Sequence, residues 1–587
     1  MPFKMELRSV YRSFGLMLVL MASCMLGYYD PACKFSFHLF TTSFLTATIF
    51  SLPTGFLPKY ARFSIQLFIG ETFILLSLVD VYCQEYLHSS LSTSIFSSIL
   101  NTNLRETAEF LSSFFSVKIF LNWRITFLIL LFFISPFFYT KRFFVALQSF
   151  FLSFRLKAKK IVYCLLLLLF VLSISIEANP FYNYLKFFFG HGALYTEELI
   201  FRHYHENVKL PFFRASYAYM ATSQSKKLVE DILKNSSQAS LESCSMLTPH
   251  IVLIIGESYN KHHSALYGYS LPTTPLQLKR FEQGTLFPFY DVVSPWNITS
   301  NAFLCMFSTW DSSRKDSIGN YPLFPVLFKR AGYHVTFFSN QYVTRGLLRT
   351  GTNQAGFFFL SSPSLCNEMF DYRNKKAYGF DQRAIYEFSK LKSSRGDIPY
   401  TLDIIHLMGQ HFDYKNRYSA QMGQFSIQDI KRDDLSDSQK ETVMHYDNAT
   451  FSNDIVVDSI LSLYENEDAV VVYLSDHGEL VYDCSQVSGR LFETPTPEIA
   501  KYQFEVPMWI WGSKKFIDSH PDVISSIREG CNRPFSTDDL HQILFSLSGI
   551  ECQYKDDSRN PLSKCYKPKK RIIAGEVDYD LLLKKYN

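Results

Sequence analysis

Two apolar runs in this chain end in side chains that could hold a metal. Ile251–Ser258 reads IVLIIGES and delivers Glu257, while Ala469–Leu474 is followed by Ser475-Asp476-His477-Gly478-Glu479. Aliphatic runs of this kind read as strands buried on both faces, and in open α/β sheets the ligand sits beyond the carboxyl ends of such strands. Glu257 therefore falls at an active-site edge. A carboxylate beside an imidazole suits zinc, which takes oxygen and nitrogen ligands at about 2.0–2.2 Å. Asp476-His477 also reads as a polar loop capping a helix, but a second strand tip carrying Glu257 favours the metal.

Neither strand offers a nucleophile. The segment Val292–Met306, VVSPWNITSNAFLCM, does. Pro295 and Asn297 break regular structure and Ser300–Trp310 can be helical, which puts Thr299 near a helix amino terminus, where unpaired N–H groups favour a phosphate. A threonine hydroxyl needs activation, and a bound Zn²⁺ supplies it by stabilising the alkoxide. Thr299 equally fits a helix N-cap, and the sequon Asn297-Ile298-Thr299 is too short to carry weight. A third cluster follows the strand-like Tyr400–Ile405: His406-Leu407-Met408-Gly409-Gln410-His411, then Tyr414, Arg417 and Tyr418. Its histidines and arginine could receive a phosphate or a leaving oxygen, although a lone histidine is more often structural.

The elements that must position these residues lie from about Cys244 onward, where aliphatic strands alternate with helical segments in what reads as one α/β domain. Ahead of it stand five apolar stretches, Phe14–Tyr29, Phe35–Leu57, Phe63–Cys83, Ile119–Tyr139 and Ile161–Ile176. Each is near the length of about 20 residues that crosses the hydrocarbon. Lys4, Arg8 and Arg12 precede the first, and Lys141, Arg142, Arg155, Lys157, Lys159 and Lys160 lie between the fourth and fifth. The positive-inside rule makes these segments cytoplasmic, and an odd number of spans sends everything after Ile176 outside. Glu71 and Asp80 fall inside the third stretch, as a functional site or a bundle-facing pair. Asn179–Ser243 reads as surface-lying amphipathic helices, Phe181–Gly190 and Phe212–Met220, followed by a polar linker. The expected units are thus 1–12, 13–178, 179–243 and 244–587.

Composition suits a protein that meets lipid and leaves its partner open. A chain of 587 residues exceeds one ordinary core, and a net charge of +4 counts against a nucleic-acid partner. Aromatic residues make up 17%, a content that suits contact with lipid. Of 11 cysteines, those outside the spans could pair in an oxidising compartment, Cys552 with Cys565 being closest in the carboxyl-terminal region.

Several motifs together resemble the membrane-bound phosphoethanolamine transferases: GESYNKHHSALYGYSLPTTP at Gly256–Pro275, VVSPWNIT at Val292–Thr299, HLMGQHFDYKNRY at His406–Tyr418, YDNAT at Tyr446–Thr450, YLSDHGELVYD at Tyr473–Asp483 and FEVPMWIW at Phe504–Trp511. They occur in the family's order, and the five spans fit. The SLYGY-like, HLMGQH and EVP-WIW segments look closer to enzymes that decorate lipopolysaccharide core sugars than to the lipid A branch. The resemblance implies an alkaline phosphatase/sulfatase-like α/β/α sandwich outside the membrane, attached to a five-helix transmembrane domain in a bacterial inner membrane. It implies that Glu257, Thr299, Asp476 and His477 bind a catalytic zinc. Thr299 would be the nucleophile that takes phosphoethanolamine from phosphatidylethanolamine for a lipopolysaccharide or other glycolipid acceptor. His411 would lie in the phosphate or second-metal region, Glu479 could assist, and Asn340 and Gln341 match a stretch lining the donor pocket. A monomer is expected.

This chain departs from that family in two places. Lipid A enzymes carry another histidine about a dozen residues beyond the DHG histidine, and here the region reads Val487-Ser488-Gly489-Arg490, which counts against a second protein-bound zinc. Cys305 sits where those enzymes place a disulfide cysteine, but the partner position is Pro295. The rival readings are a phosphoglycerol-type transferase and an inactive membrane sensor. Sulfatase activity is disfavoured, because Met306-Phe307 follow Cys305 where a sulfatase needs a Cys/Ser-x-Pro-x-Arg segment.

Overall fold

The computed structural model describes residues 2–27, 37–86, 121–143, 210–341, 362–491 and 495–584, with 145–146, 149, 161, 164–165, 167–176 and 360. The chain divides into two units, Met1–Ser223 and Gln224–Asn587.

In the second unit the aliphatic runs become the middle of a seven-stranded sheet. Its strands are β1 (His250–Gly256), β2 (Leu286–Phe289), β3 (His334–Ser339), β4 (Tyr372–Arg373), β5 (Thr401–His406), β6 (Ala469–Ser475) and β7 (Met508–Gly512), in the order β2-β7-β6-β1-β5-β3-β4. The five strands from β6 to β4 are parallel, and β7 runs antiparallel to both its neighbours. Side chains alternate across a strand, so β1 feeds two cores. Ile251, Leu253 and Ile255 join one buried cluster, and Val252 and Ile254 join another on the opposite face. Three helices matter to the site: α6 (Thr299–Phe307), α7 (Asp381–Ser394) and α8 (Asp437–Ser462). Ala302 and Phe303 of α6 pack on the first face; Ala384 and Phe388 of α7 and Val456 and Val457 of α8 pack on the second. The result is a three-layer α/β/α sandwich.

Register decides where the polar residues go. Gly256 pairs with Ser475, Ile255 with His406, and Ser339 with His406. The residues that follow, Glu257, Asp476, Leu407 and Asn340, therefore leave the sheet at one carboxyl edge.

The first unit is helical: α1 (Pro2–Gly27), α2 (Phe37–Ser51), α3 (Lys59–Tyr86) and α4 (Trp123–Phe138), with α5 (Pro211–Gln238) crossing the division between units. Leu39–Phe56 and Lys59–Glu85 are long and apolar enough to cross a membrane, while Arg12–Gly27, Trp123–Phe138 and Leu167–Ile176 are shorter apolar helices. The described residues of the five apolar stretches lie largely in helix, and among the described residues two helices reach spanning length. Leu16, Leu20, Ile74, Val81, Ile125 and Leu128 form the core of α1, α3 and α4. Both acids of α3 have partners: Ser135 donates to Glu71, and Gln84 donates to Asp80 at 3.0 Å. Gln84 also donates to the Gly27 carbonyl and accepts from Arg124.

Two expectations change. The polar stretch read as a linker forms the second half of α5, because Leu228 and Ile232, four residues apart, bury on one helical face against the α/β core. The proposed amphipathic segment 181–190 lies outside the described residues. Every described cysteine is free, and Cys552 with Cys565 is not a disulfide: Cys552 is packed in the core and Cys565 is exposed.

Leu253 is fully buried at the centre of the sheet, and truncating such a residue costs about 2–5 kcal/mol. Leu253→Ala should therefore lower the unfolding free energy of the second unit by that much, read as a drop in the denaturant midpoint by tryptophan fluorescence.

Candidate metal centre and nucleophile

At the carboxyl edge, the turn after β1 points Glu257 inward. Ser258 adopts φ 55°, its N–H donates to Asp476 Oδ1 at 3.0 Å, and its hydroxyl donates to Glu257 Oε1 at 2.8 Å. Gly409 lies against the same turn at φ +46°, where a Cβ would meet the Glu257 backbone at 3.0 Å. Gln410 N–H donates to the Glu257 carbonyl. Only glycine fits that close approach.

The structure brings the four expected ligands together. Glu257, Asp476 and His477 are buried, and each offers an atom within 4.8 Å of the others. Thr299, 7% exposed, is the first residue of α6; its cap is Ile298, so Thr299 is not itself the N-cap. Its hydroxyl lies 3.1 Å from Glu257 Oε1, 3.3 Å from Glu257 Oε2 and 3.1 Å from His477 Nε2. His477 Nδ1 faces the Gly478 carbonyl at 2.7 Å. A proton on Nδ1 satisfies that carbonyl and leaves the Nε2 lone pair aimed at Thr299 and the carboxylates.

Electrostatics mark this as a cation site. Burial opposes ionising Glu257, but the imidazoles of His406 and His477 beside it hold it well below the usual carboxylate range. Burial and the Glu257 charge push Asp476 up to about 7. Asp476 Oδ2 is buried with no hydrogen-bond partner. A divalent cation would relieve both the repulsion and the orphaned oxygen, and two carboxylates with one imidazole are a donor set zinc accepts.

The remaining predicted residues fall into two groups. Glu479 borders the centre: Tyr414 donates to its Oε1 at 3.0 Å, Arg490 Nε stands 3.6 Å from its Oε2, and burial pushes its carboxyl up. His411 donates from Nδ1 to the Phe412 carbonyl at 2.6 Å, and burial pushes its imidazole down to about 4, so it is neutral at pH 7. Asn340 and Gln341 follow β3. The Asn340 amide donates to Asp381 and its oxygen accepts from Tyr378 N–H. Asp381 in turn accepts from Met408 and Gly409 N–H. Asn340 thus anchors the loop that seats Glu257, and no contact from it to the four ligands is present. Gln341 N–H donates to Ser339 Oγ.

Sequence reasoning passed over Ser258 and Arg490, and read His406 as able to receive a phosphate or a leaving oxygen rather than as a neighbour of Glu257. His406 Nε2 lies 3.9 Å from Glu257 Oε2, and its Nδ1 lies 2.9 Å from Ser339 Oγ. Its place one residue beyond the aliphatic run Ile404–Ile405 was the available signal. Ser258 and Arg490 carried none, since their roles depend on a turn and on a hairpin.

A parallel sheet with metal-ligand residues and a helix-borne threonine at its carboxyl edge defines the alkaline phosphatase/sulfatase class. The sulfatase family matches residues 249–544, and the chain belongs to it. Within that class it is similar to phosphoethanolamine transferases. Phosphoethanolamine transferase EptC of Escherichia coli strain K12 is 28% identical over 344 residues, 57% of each chain. The crystal structure of the carboxyl-terminal periplasmic domain of EptC from Escherichia coli is 27% identical, covering 58% of this chain and 95% of that one, with TM-score 0.50. The integral membrane lipooligosaccharide phosphoethanolamine transferase A of Neisseria meningitidis shares the fold over 96% of this chain and 98% of its own, with TM-score 0.60 at 18% identity. The match thus spans 57% of the length of the curated EptC.

The turn that carries Glu257 is fastened by His263, whose Nδ1 lies 2.7 Å from Asp447 Oδ1 and whose Nε2 lies 3.1 Å from Asp483 Oδ1. Burial opposes charging this ring, but the two carboxylates outweigh it and push it from 6.5 up to about 10. A group whose folded value is raised contributes stability that is full below its unfolded value and is lost as pH rises through the folded one. Stability should therefore fall between about pH 6.5 and about pH 10, and His263→Gln should flatten that slope in urea titrations across the range.

Proposed function

We propose that this chain transfers phosphoethanolamine from phosphatidylethanolamine to a lipopolysaccharide or related glycolipid, through a phosphorylated Thr299. The observation that carries the reading is the placement of the Thr299 hydroxyl within 3.1 Å of both Glu257 Oε1 and His477 Nε2, at a helix amino terminus. The activity of the relatives named above agrees with this reading, as does the sulfatase-type fold.

Glu257, Asp476, His477 and Thr299 would hold one zinc, which when bound supplies charge to stabilise the threonine alkoxide. The chain's own residues do the rest. The Thr299 hydroxyl, oriented by its 3.1 Å contact to Glu257 Oε1, gives its proton to solvent. The Oγ–P bond forms as the P–O bond to diacylglycerol breaks, and the leaving oxygen takes up a proton. An acceptor hydroxyl then attacks from the opposite side, the P–O bond to Thr299 breaks, and Thr299 regains its proton. Two in-line steps retain configuration at phosphorus. The amino-terminal N–H groups of α6 face the phosphoryl oxygens and favour their charge.

The helical unit is the membrane anchor in this reading, with the amino terminus cytoplasmic and the α/β unit periplasmic in a bacterial inner membrane. Donor and acceptor are amphiphiles of one leaflet, and anchoring confines enzyme and both substrates to it. The boundaries proposed from the sequence, 13–178 for the membrane unit and 244–587 for the catalytic unit, go with this assignment.

Thr299→Ala should lower transfer by about 10³-fold or more, the loss expected for a covalent nucleophile. Mass spectrometry of lipids from cells making the parent should show phosphoethanolamine adducts that the variant lacks; glycerol phosphate adducts instead, or undiminished transfer by Thr299→Ala, would overturn the reading. Asp476→Asn should also reduce zinc content measured by plasma emission, by about 10-fold or more at limiting metal.

A further inference from the structure

The hairpin that borders the centre brings back a cation that the reading above leaves without a task. The short strands Leu480–Val481 and Ser488–Gly489 pair antiparallel, with Gly489 opposite Leu480. The chain that leaves the site at Glu479 therefore returns to it at Arg490. Gly489 takes φ +113°, a conformation an L side chain rarely adopts, and Tyr414 Oη lies 3.2 Å from Ser488 Oγ on the returning strand. The Arg490 side chain is 21% exposed, and its Nη1 donates to His477 Nε2 at 3.1 Å. Thr299 Oγ1 stands 3.1 Å from the same ring nitrogen. Guanidinium and nucleophile are thus neighbours across one atom.

Most of the guanidinium remains available. Of its five N–H groups, one is hydrogen-bonded among the described residues, the Nη1 contact to His477. Its ion-pair partner Glu479 lies at 3.6 Å, beyond hydrogen-bond range, and the other Glu479 oxygen accepts from Tyr414. The His477 lone pair that Nη1 reaches is the one a metal would take. Beside Thr299, the N–H groups of residues 299–301 precede the first bond closed within α6, from Ala302 N–H to the Ile298 carbonyl. Two sets of donors therefore flank the Thr299 hydroxyl, one from the helix and one from the hairpin.

We propose that Arg490 contacts the substrate directly and binds non-bridging oxygens of the phosphoryl group that passes through Thr299. This rests on the reading of Thr299 as the phosphoryl acceptor. A planar fork of permanently charged donors matches two oxygens of one phosphate, which a lysine's point charge does not. In each displacement, charge is held on the two non-bridging equatorial oxygens, and donors already in place around them need no reorganisation. Arg490 carries this charge at the edge where the sequence offers no further metal-binding histidine, so a single metal ion suffices.

The test uses the full-length zinc-loaded protein in detergent, with inorganic phosphate as the probe, titrated by calorimetry. Arg490→Ala is expected to weaken phosphate binding by about 10-fold to 100-fold, the loss of one charged hydrogen-bonding partner, while zinc per chain stays at the parent value. Arg490→Met, which keeps the aliphatic stem, should match Arg490→Ala, and Arg490→Lys should lie between them and the parent. Phosphate affinity in Arg490→Ala within about twofold of the parent overturns the proposal. Loss of zinc or of the folding transition in both Arg490→Ala and Arg490→Met makes the residue structural and also overturns it. Failure of the functional reading looks different: the parent would bind phosphate in an Arg490-dependent way yet move no phosphoethanolamine.

Discussion

Two carboxylates stand side by side in the buried edge of the sheet because Gly256 and Ser475 are register partners and the next residue of each strand is acidic. Like charges about 4 Å apart repel by about 4 kcal/mol at an effective dielectric near 20. The surrounding structure answers that repulsion. Backbone N–H groups of Ser258 and His477 donate to Asp476, the Ser258 hydroxyl donates to Glu257, and His406 and His477 approach Glu257 from two sides. What these donors leave unmet is Asp476 Oδ2, and a cation is the remaining complement.

Rigidity at the centre comes from residues that never reach it. Asn340 holds Asp381, Asp381 holds the N–H groups of Met408 and Gly409, and Gly409 packs on the Glu257 backbone. On the other side Tyr446 donates to the Ser258 carbonyl and accepts from Asn260 N–H, while His263 joins α8 to Asp483. Each link lies on a strand, a helix or a loop tied to one. A site so tied can hold its donors in place before a substrate arrives, which is the condition for electrostatic preorganisation.

The centre of the sheet was legible because its strands are buried on both faces, and burial of that kind leaves an uninterrupted aliphatic run such as Ile251–Ile255. That Glu257 and Asp476-His477 meet was legible because parallel strands end at a common edge. The linker expectation failed because Leu228 and Ile232 are only two apolar residues in a polar stretch, too few to mark a helix whose partner is a distant core. The roles of Asn340 and Arg490 were illegible for a different reason. An amide or a guanidinium has no spacing signature, and its contacts are set by a loop and a hairpin whose geometry emerges only with the fold. Disulfides were expected from the export reading; the described cysteines instead behave as small apolar side chains or lie exposed.

The ligand set is also widely dispersed along the chain. Ser258, beside the first carboxylate, meets Asp476 across 218 residues, and Thr299 meets His477 across 178. Glu257 and Asp476 come together only once β1 and β6 have paired. A metal held by these residues would therefore be captured after the middle of the sheet has closed, and would be drawn from the metals present there.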